Sequence, residues 1–255
     1  TVFPYAMIAV FEKDDSDLTA AAAIVMDKNT GEVIFEKNTD EIRSVASLTK
    51  LVTALTFLDY NPGWDEIITM QKSDFVGGAT LWVKEDYQVT VKDLFYAMLV
   101  GSKNNTAEAL ARASGLSRPE FIEAMNKKVK QLGLTKATFV EPTGLDENNK
   151  ATAAEMVIIA KEAFSNKDIH LASTTDWYKV EPLNCEYHYW VKNTSMKVLD
   201  RDLNVTGSKT GWTDEAGYNL VTQAKDGARE LIALVMGAKI SQNYEEVYSL
   251  LKKYL

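Results

Sequence analysis

Ser47 and Lys50 stand three residues apart in "SVASLTKLVTAL", residues 44–55, a spacing that puts both side chains on one face of a helix. A serine hydroxyl is a weak nucleophile and needs a neighbouring base. A lysine one turn on can take its proton only when neutral, and desolvation or nearby positive charge lowers a lysine's pKa. No acid stands three or four positions from Lys50, where Ala46, Ser47, Thr53 and Ala54 lie. The pair therefore points to nucleophilic catalysis with a lysine base that lacks a counter-ion.

Spacing alone is weak evidence. About one Ser-x-x-Lys match is expected by chance in a chain of this length, and Ser249-Leu-Leu-Lys252 is a second one in a stretch that looks structural. Ser-x-Asn occurs at Ser102–Asn104 and again at Ser241–Asn243, while Lys-Thr-Gly occurs once, at Lys209–Gly211. One set falls in a meaningful order: Ser47 and Lys50 opening an apolar helix, Ser102-Lys103-Asn104 between two helices, and Lys209-Thr210-Gly211 on or beside a late strand. The Ser241 match follows the Lys-Thr-Gly element and is out of that order. Within the ordered set Lys209 supplies positive charge and can bind an anionic group, and Ser102 can relay a proton to a leaving amine. Asn104 can hold Lys50 and a substrate amide. The backbone N–H groups of Ser47 and Trp212 can form an oxyanion hole, each donor worth about 3 kcal/mol. Gly211 would let an extended substrate lie close against a sheet edge.

These residues need elements to hold them. Two apolar runs, 20–26 and 32–36, flank "DKNTG" and predict a β-hairpin. The Ser47 helix follows, with Leu48, Leu51, Val52, Leu55 and Leu58 at helical spacing, and ends before Pro62 and Gly63. The middle is helical: "TVKDLFYAMLV" with Thr90 as N-cap, "NTAEALARAS", "RPEFIEAMNKKVKQLG", and "TAAEMVIIAKEAFSN" capped by Thr152 with Glu155 three residues on. After about residue 174 short segments rich in β-branched and aromatic residues predict strands, and "YEEVYSLLKKYL" closes as a helix. A sheet cannot leave its early strands unpaired, so the first hairpin should join the late strands in one antiparallel sheet. The expectation is an α+β fold: an antiparallel sheet built from N-terminal and C-terminal strands, flanked by helices, with an inserted all-helical lobe. Residues 1–255 are expected to form a single catalytic domain, with the sheet part at about 18–60 and 174–255 and the helical lobe at about 61–173. The site should lie in the cleft between them.

Composition narrows the function classes. The chain has 255 residues, 46% hydrophobic and 25% charged, with a formal net charge of −8, which disfavours nucleic acid and anionic membrane surfaces as partners. Cys185 is alone, so no internal disulfide can form. His170 and His188 have no ligand-spaced partner, and no metal or other cofactor is expected. "TVFPYAMIAVF" is too short to span a bilayer and lacks a basic leader. The acidic "EKDDSD" at 12–17 reads as a solvated segment rather than a calcium loop. Trp82, Trp177 and Trp190 are expected to pack in the core or between lobes, and Cys185 to be inert.

The three ordered motifs match a known signature, and the chain resembles the D-alanyl-D-alanine carboxypeptidases, the low-molecular-mass penicillin-binding proteins. "NTDEIRSVASLTKLVTAL", "TVKDLFYAMLVGSKNNTAEALA", "LGLTKATFVEPTGLD", "TAAEMVIIAKEAF" and "VTGSKTGWTDEAGYNLVTQAKDGARELIALVMGAK" look like family blocks in family order. The resemblance implies a β-lactamase/transpeptidase-like fold and an acyl-enzyme mechanism on the D-Ala-D-Ala end of peptidoglycan stem peptides, outside the cytoplasmic membrane. It also implies covalent inhibition by β-lactam antibiotics. Carried over residue by residue, Ser47 is the nucleophile and Lys50 the base, with Ser102, Asn104 and Lys209 completing the catalytic set. Thr210 and Thr213 are carboxylate contacts, and Gly211 and Trp212 also meet substrate.

There are departures. Lys103 replaces the usual glycine of the middle motif, and Thr206-Gly207 replaces a common Asp-Gly. Tyr244 occupies the place of a carboxylate-holding arginine, with Lys239 as a possible substitute. The family's C-terminal β-rich domain and membrane anchor are not expected in this chain, so membrane contact would come only through segments outside it. Two rival readings stay open: a class A-like β-lactamase, for which Glu141 is the tempting residue although Leu145 and not Asn stands four positions on, and a non-catalytic domain that binds or senses β-lactams or peptidoglycan.

Overall fold

The computed structural model describes residues 18–255, so the readings made above of residues 1–17 lie outside the described residues. The chain opens with β1 (Ala22–Asp27) and β2 (Val33–Lys37) and a short β3 (Arg43–Ser44). A 3-10 turn at Ala46–Leu48 then leads into α1 (Thr49–Leu58). The pair β4 (Ile67–Thr69) and β5 (Gln88–Thr90) precedes the helices α2 (Val91–Val100), α3 (Asn104–Ala113) and α4 (Arg118–Gln131). After β6 (Lys150–Ala151) come α5 (Ala153–Ser165), α6 (Lys167–Thr174), the strands β7 (Trp177–Val180) and β8 (Tyr189–Lys192), and α7 (Met196–Leu199). The chain closes with β9 (Asn204–Thr213), β10 (Gly217–Asp226), β11 (Arg229–Ala238) and α8 (Gln242–Tyr254).

The first hairpin joins the last three strands in a five-stranded antiparallel sheet of order β2-β1-β11-β10-β9. Side-chain alternation gives that sheet two apolar faces. Ala23, Val25, Ala233 and Val235 face α8, which contributes Val247, Leu250 and Leu251. Ile24, Met26, Ile232, Leu234 and Met236 belong to the larger core on the other side, where α5 packs on β1 and β11. The architecture is α+β with the sheet assembled from both ends of the chain.

The strands β7 and β8 do not enter that sheet. They form a separate hairpin against α2, because its inner face carries its own aromatic anchor: Tyr178 stacks on Tyr96 at 4.3 Å and its hydroxyl donates to Asp93 at 2.7 Å. The outer face leaves Trp177 49% and Trp190 59% exposed, and Trp82 is 81% exposed on a loop, so the expectation that these tryptophans are packed is corrected. Alternation along a two-stranded hairpin sends every second residue outward, Trp177 and Trp190 among them, while Trp82 stands outside any strand.

Helix ends follow the sequence. Thr90 accepts from the Asp93 N–H, and Thr152 with Glu155 forms a capping box. In α1 every residue from Thr49 to Phe57 is buried, threonines included. It is therefore a central helix, packed on α2, α3, α4 and α5. The β3–β6 pair, Arg43 opposite Ala151 and Ser44 opposite Lys150, holds the 141–149 loop beside its start.

Candidate active site

The nucleophile candidate sits on a forced turn. Ala46 has φ +47°, a region that costs a residue with a Cβ about 1 kcal/mol or more, and the turn lifts Ser47 to the protein surface side of a buried helix start. Glycines hold the turn from two directions. A Cβ on Gly211 would come within 3.0 Å of the Val45 carbonyl and 3.1 Å of the Ser47 nitrogen. A Cβ on Gly144 would overlap the Ala46 carbonyl and come within 2.8 Å of that same nitrogen. The room at Gly211 is thus occupied by the Ser47 turn itself, which corrects its assignment as a gap left for substrate.

Lys50 is fully buried, with its Nζ 2.9 Å from Ser47 Oγ, 2.7 Å from Asn104 Oδ1 and 2.5 Å from the Thr143 carbonyl. Asn104 is oriented by its own Nδ2, which donates to the Gly77 carbonyl at 2.9 Å. Both the Asn104 and Thr143 partners are acceptors that cannot donate. A neutral amine gives them its two N–H bonds, so its lone pair faces the third neighbour, the Ser47 hydroxyl. Burial pushes the Lys50 amine down to about 7, against an upward pull from the Glu141 carboxylate.

That pull was not visible along the helix. No acid stands near Lys50 in the chain, but the fold brings Glu141 into electrostatic range, so the reading of a lysine free of acidic influence is corrected. Glu141 itself is buried and saturated. One oxygen accepts from the Thr143 N–H at 2.7 Å and the Thr143 hydroxyl at 2.5 Å, and the other accepts from Gly144 N–H at 2.5 Å and Asn149 Nδ2 at 2.7 Å.

The second and third motifs meet each other. Ser102, in a left-handed conformation at φ +56°, accepts from Lys209 Nζ at 2.8 Å, and the same amine donates to the Thr210 carbonyl at 2.9 Å. Lys209 is fully buried, and burial followed by the charge of Lys50 pushes its amine well below the ordinary lysine range. Asn104 is the first residue of α3 rather than part of the loop before it. The five residues thus form two hydrogen-bonded groups, Ser47–Lys50–Asn104 and Ser102–Lys209, whose serines line one cleft and whose lysines lie within electrostatic range of each other.

A cleft of about 270 Å³ opens onto this cluster, bordered by Ser47, Ser102, Thr210, Gly211, Trp212 and, from α8, Tyr244. Thr213 is not on this border; its hydroxyl accepts from the Ala216 N–H in the β9–β10 turn. Thr194 and Asn243, neither assigned from the sequence, also line the cleft. Thr194 meets the Thr210 hydroxyl at 2.7 Å and accepts at its carbonyl from Tyr244 Oη at 2.9 Å. Asn243 belongs to the Ser-x-Asn match set aside above; its place at the start of the last helix was the available signal. The other Ser-x-x-Lys match is on the outside, with Ser249 exposed and Lys252 paired to Asp202 at 3.0 Å. Among the described residues no group of three His, Cys, Asp or Glu side chains is placed to hold a metal ion.

A serine, two buried lysines and an asparagine between an antiparallel sheet and a helical cluster is the arrangement of the penicillin-binding serine peptidases. In that class, the cefotaxime-bound penicillin-binding protein D2 of Listeria monocytogenes matches with a TM-score of 0.81 at 27% identity, over 92% of this chain and 96% of that one. The family model for D-alanyl-D-alanine carboxypeptidase, peptidase S11, matches residues 9–240, and the chain belongs to this family. It is 32% identical to the D-alanyl-D-alanine carboxypeptidase DacF of Bacillus subtilis over 90% of its own length and 62% of that protein's. It is also 33% identical to a D-alanyl-D-alanine endopeptidase of Haemophilus influenzae, over 79% of its length and 69% of that protein's. The chain thus spans less than two thirds of DacF.

Proposed function

We propose that this chain is the catalytic domain of a serine D-Ala-D-Ala carboxypeptidase that removes the terminal D-alanine of peptidoglycan stem pentapeptides and is acylated by β-lactams. The observation that carries this reading is the Lys50 amine, turned toward Ser47 Oγ at 2.9 Å and lowered to about 7. Ser47 Oγ attacks the carbonyl carbon of the penultimate D-alanine while its proton passes to Lys50. The oxyanion is received by the N–H groups of Ser47 and Trp212. The C–N bond then breaks, and the departing D-alanine amine takes a proton by way of Ser102, which Lys209 holds. Water releases the acyl group in the second half-reaction. Thr210, Gly211 and Trp212 are the proposed substrate contacts, with Thr194 as an added hydroxyl beside Thr210.

Peptidoglycan as substrate implies action outside the cytoplasmic membrane. Among the described residues no helix is long and apolar enough to cross a membrane. The rival β-lactamase reading needs a carboxylate free to activate water, and Glu141 has each oxygen occupied by two hydrogen bonds. Incubation with a pentapeptide ending in D-Ala-D-Ala tests the proposal: D-alanine release by the wild type and none by Ser47→Ala is expected, and no release by the wild type sinks it. Rapid turnover of labelled penicillin, in place of a long-lived adduct, would favour the β-lactamase.

A further inference from the structure

We propose that Glu141 is a positioning residue for the Ser47–Lys50 pair, its carboxylate tying the 141–149 loop into the shape that clamps the start of α1 and aims the Thr143 carbonyl at the Lys50 amine. This rests on the acyl-enzyme reading above and extends it to a residue outside the three motifs.

The clamp is built from contacts at successive positions of the nucleophile's own segment. The Val45 N–H donates to the Asn149 carbonyl at 3.0 Å. Thr49 Oγ1 accepts from Asn149 Nδ2 at 3.1 Å, Lys50 Nζ donates to the Thr143 carbonyl, and Thr53 Oγ1 donates to the Pro142 carbonyl at 2.7 Å. Gly144 lies against the Ala46 carbonyl and the Ser47 nitrogen. Three of the four loop residues that make these contacts, Thr143, Gly144 and Asn149, are gathered by Glu141, and the fourth, Pro142, lies between Glu141 and Thr143 in the chain. The carboxylate takes the N–H groups of Thr143 and Gly144 and the amide of Asn149, and the Glu141 carbonyl takes a second bond from that amide at 2.9 Å. A buried carboxylate with five donors converging on it, the Asp146 N–H at 3.5 Å among them, is held more tightly than a neutral acceptor would be.

The consequence for Lys50 is directional. Its lone pair faces Ser47 only while the Asn104 and Thr143 acceptors hold its two N–H bonds. Asn104 is fixed from the α3 side by Gly77; Thr143 is fixed by Glu141, through both its N–H and its hydroxyl. Loosening the loop frees the Thr143 carbonyl and lets the lone pair turn away. Glu141 does not serve as the base itself, because all its acceptor positions are used within the loop.

Charge provides a readout that a purely structural role would not move. The charged groups around Lys50 are Glu141 from the loop and Lys209 from β9, with Arg118 of α4 linked electrostatically to Glu141. Glu141 favours the protonated amine, and burial opposes it. Replacing the carboxylate with an amide removes the upward pull and leaves the rest.

The test is the rate of acylation by labelled penicillin against pH, for the wild type, Glu141→Gln and Glu141→Asp. In Glu141→Gln the amide nitrogen faces donors, so the plateau rate should fall about ten- to hundredfold and the acid limb should move down by about one pH unit. In Glu141→Asp the charge stays but the arm is short, so the rate should fall with the limb within a few tenths of the wild-type position, which also covers the case in which Glu141→Gln does not fold. A wild-type rate in Glu141→Asp, or an unmoved limb in folded Glu141→Gln, overturns the proposal. A wild type that takes no label overturns the acyl-enzyme reading itself, and the proposal with it.

Discussion

The amine of Lys209 lies 2.8 Å from the hydroxyl of Ser102, across 107 residues of chain. The bond joins the sheet to the α2–α3 corner, where Ser102 borders the same cleft as Ser47. If the two act as one relay, Ser102→Ala and Lys209→Ala should each slow acylation about a hundredfold or more. The double variant should then be little worse than the poorer single one. Multiplicative losses in a stopped-flow double-mutant cycle would show two separate roles.

The pH dependence follows from Lys50. Its amine must be neutral to take the Ser47 proton, and burial sets it at about 7. The acylation rate should therefore climb as pH rises through about 7, and fall about tenfold per unit well below it. A rate that is flat from pH 5 to 8 would remove Lys50 from the role of base.

Gly144 combines φ +85° with backbone directly in the path of a Cβ. Gly144→Ala should push the Ala46–Ser47 turn off the loop, destabilise the fold by about 2 kcal/mol, and cost acylation more than stability alone explains. Thermal unfolding together with labelling of the folded fraction checks this. Normal labelling of that fraction would mean the turn does not depend on the loop.

The two Ser-x-x-Lys matches make opposite predictions. Ser47→Ala should abolish covalent labelling, at least about a thousandfold, with an unchanged unfolding midpoint. Ser249→Ala should label and unfold as the wild type does, since Ser249 is exposed and Lys252 is paired with Asp202. Intact-mass spectrometry after penicillin treatment separates them in one experiment.

Much of this was legible in the chain because it depends on local period and order. The hairpin at 22–37, the caps at Thr90 and Thr152, and the return of the late strands to the first hairpin follow from alternation, capping chemistry and the need to pair sheet edges. The five polar residues of the cluster were also visible, since their order along the chain distinguished them from the two decoys. What stayed hidden was whatever depends on a second segment arriving. Glu141 stands 91 residues after Lys50, and the β3–β6 pairing, with the contacts of residues 45–53, brings its loop to Ser47 and Lys50. Gly211 looked like a gap for substrate because nothing in "KTGW" says which neighbour fills it. Trp177 and Trp190 looked like core because size predicts burial, whereas their hairpin uses its other face for packing.

One of the two edge strands of the main sheet, β9, is sealed along only part of its length. His170 of α6 meets the Thr206 carbonyl at 2.6 Å and helix covers that end, while the stretch from Thr210 to Trp212 borders the cleft. Three residues of strand offer roughly 10 Å of edge, too little for another protein's sheet to zip onto. Long bare strand edges invite aggregation. By closing one end with a helix, this fold leaves only a short run of that edge open and so limits the hazard.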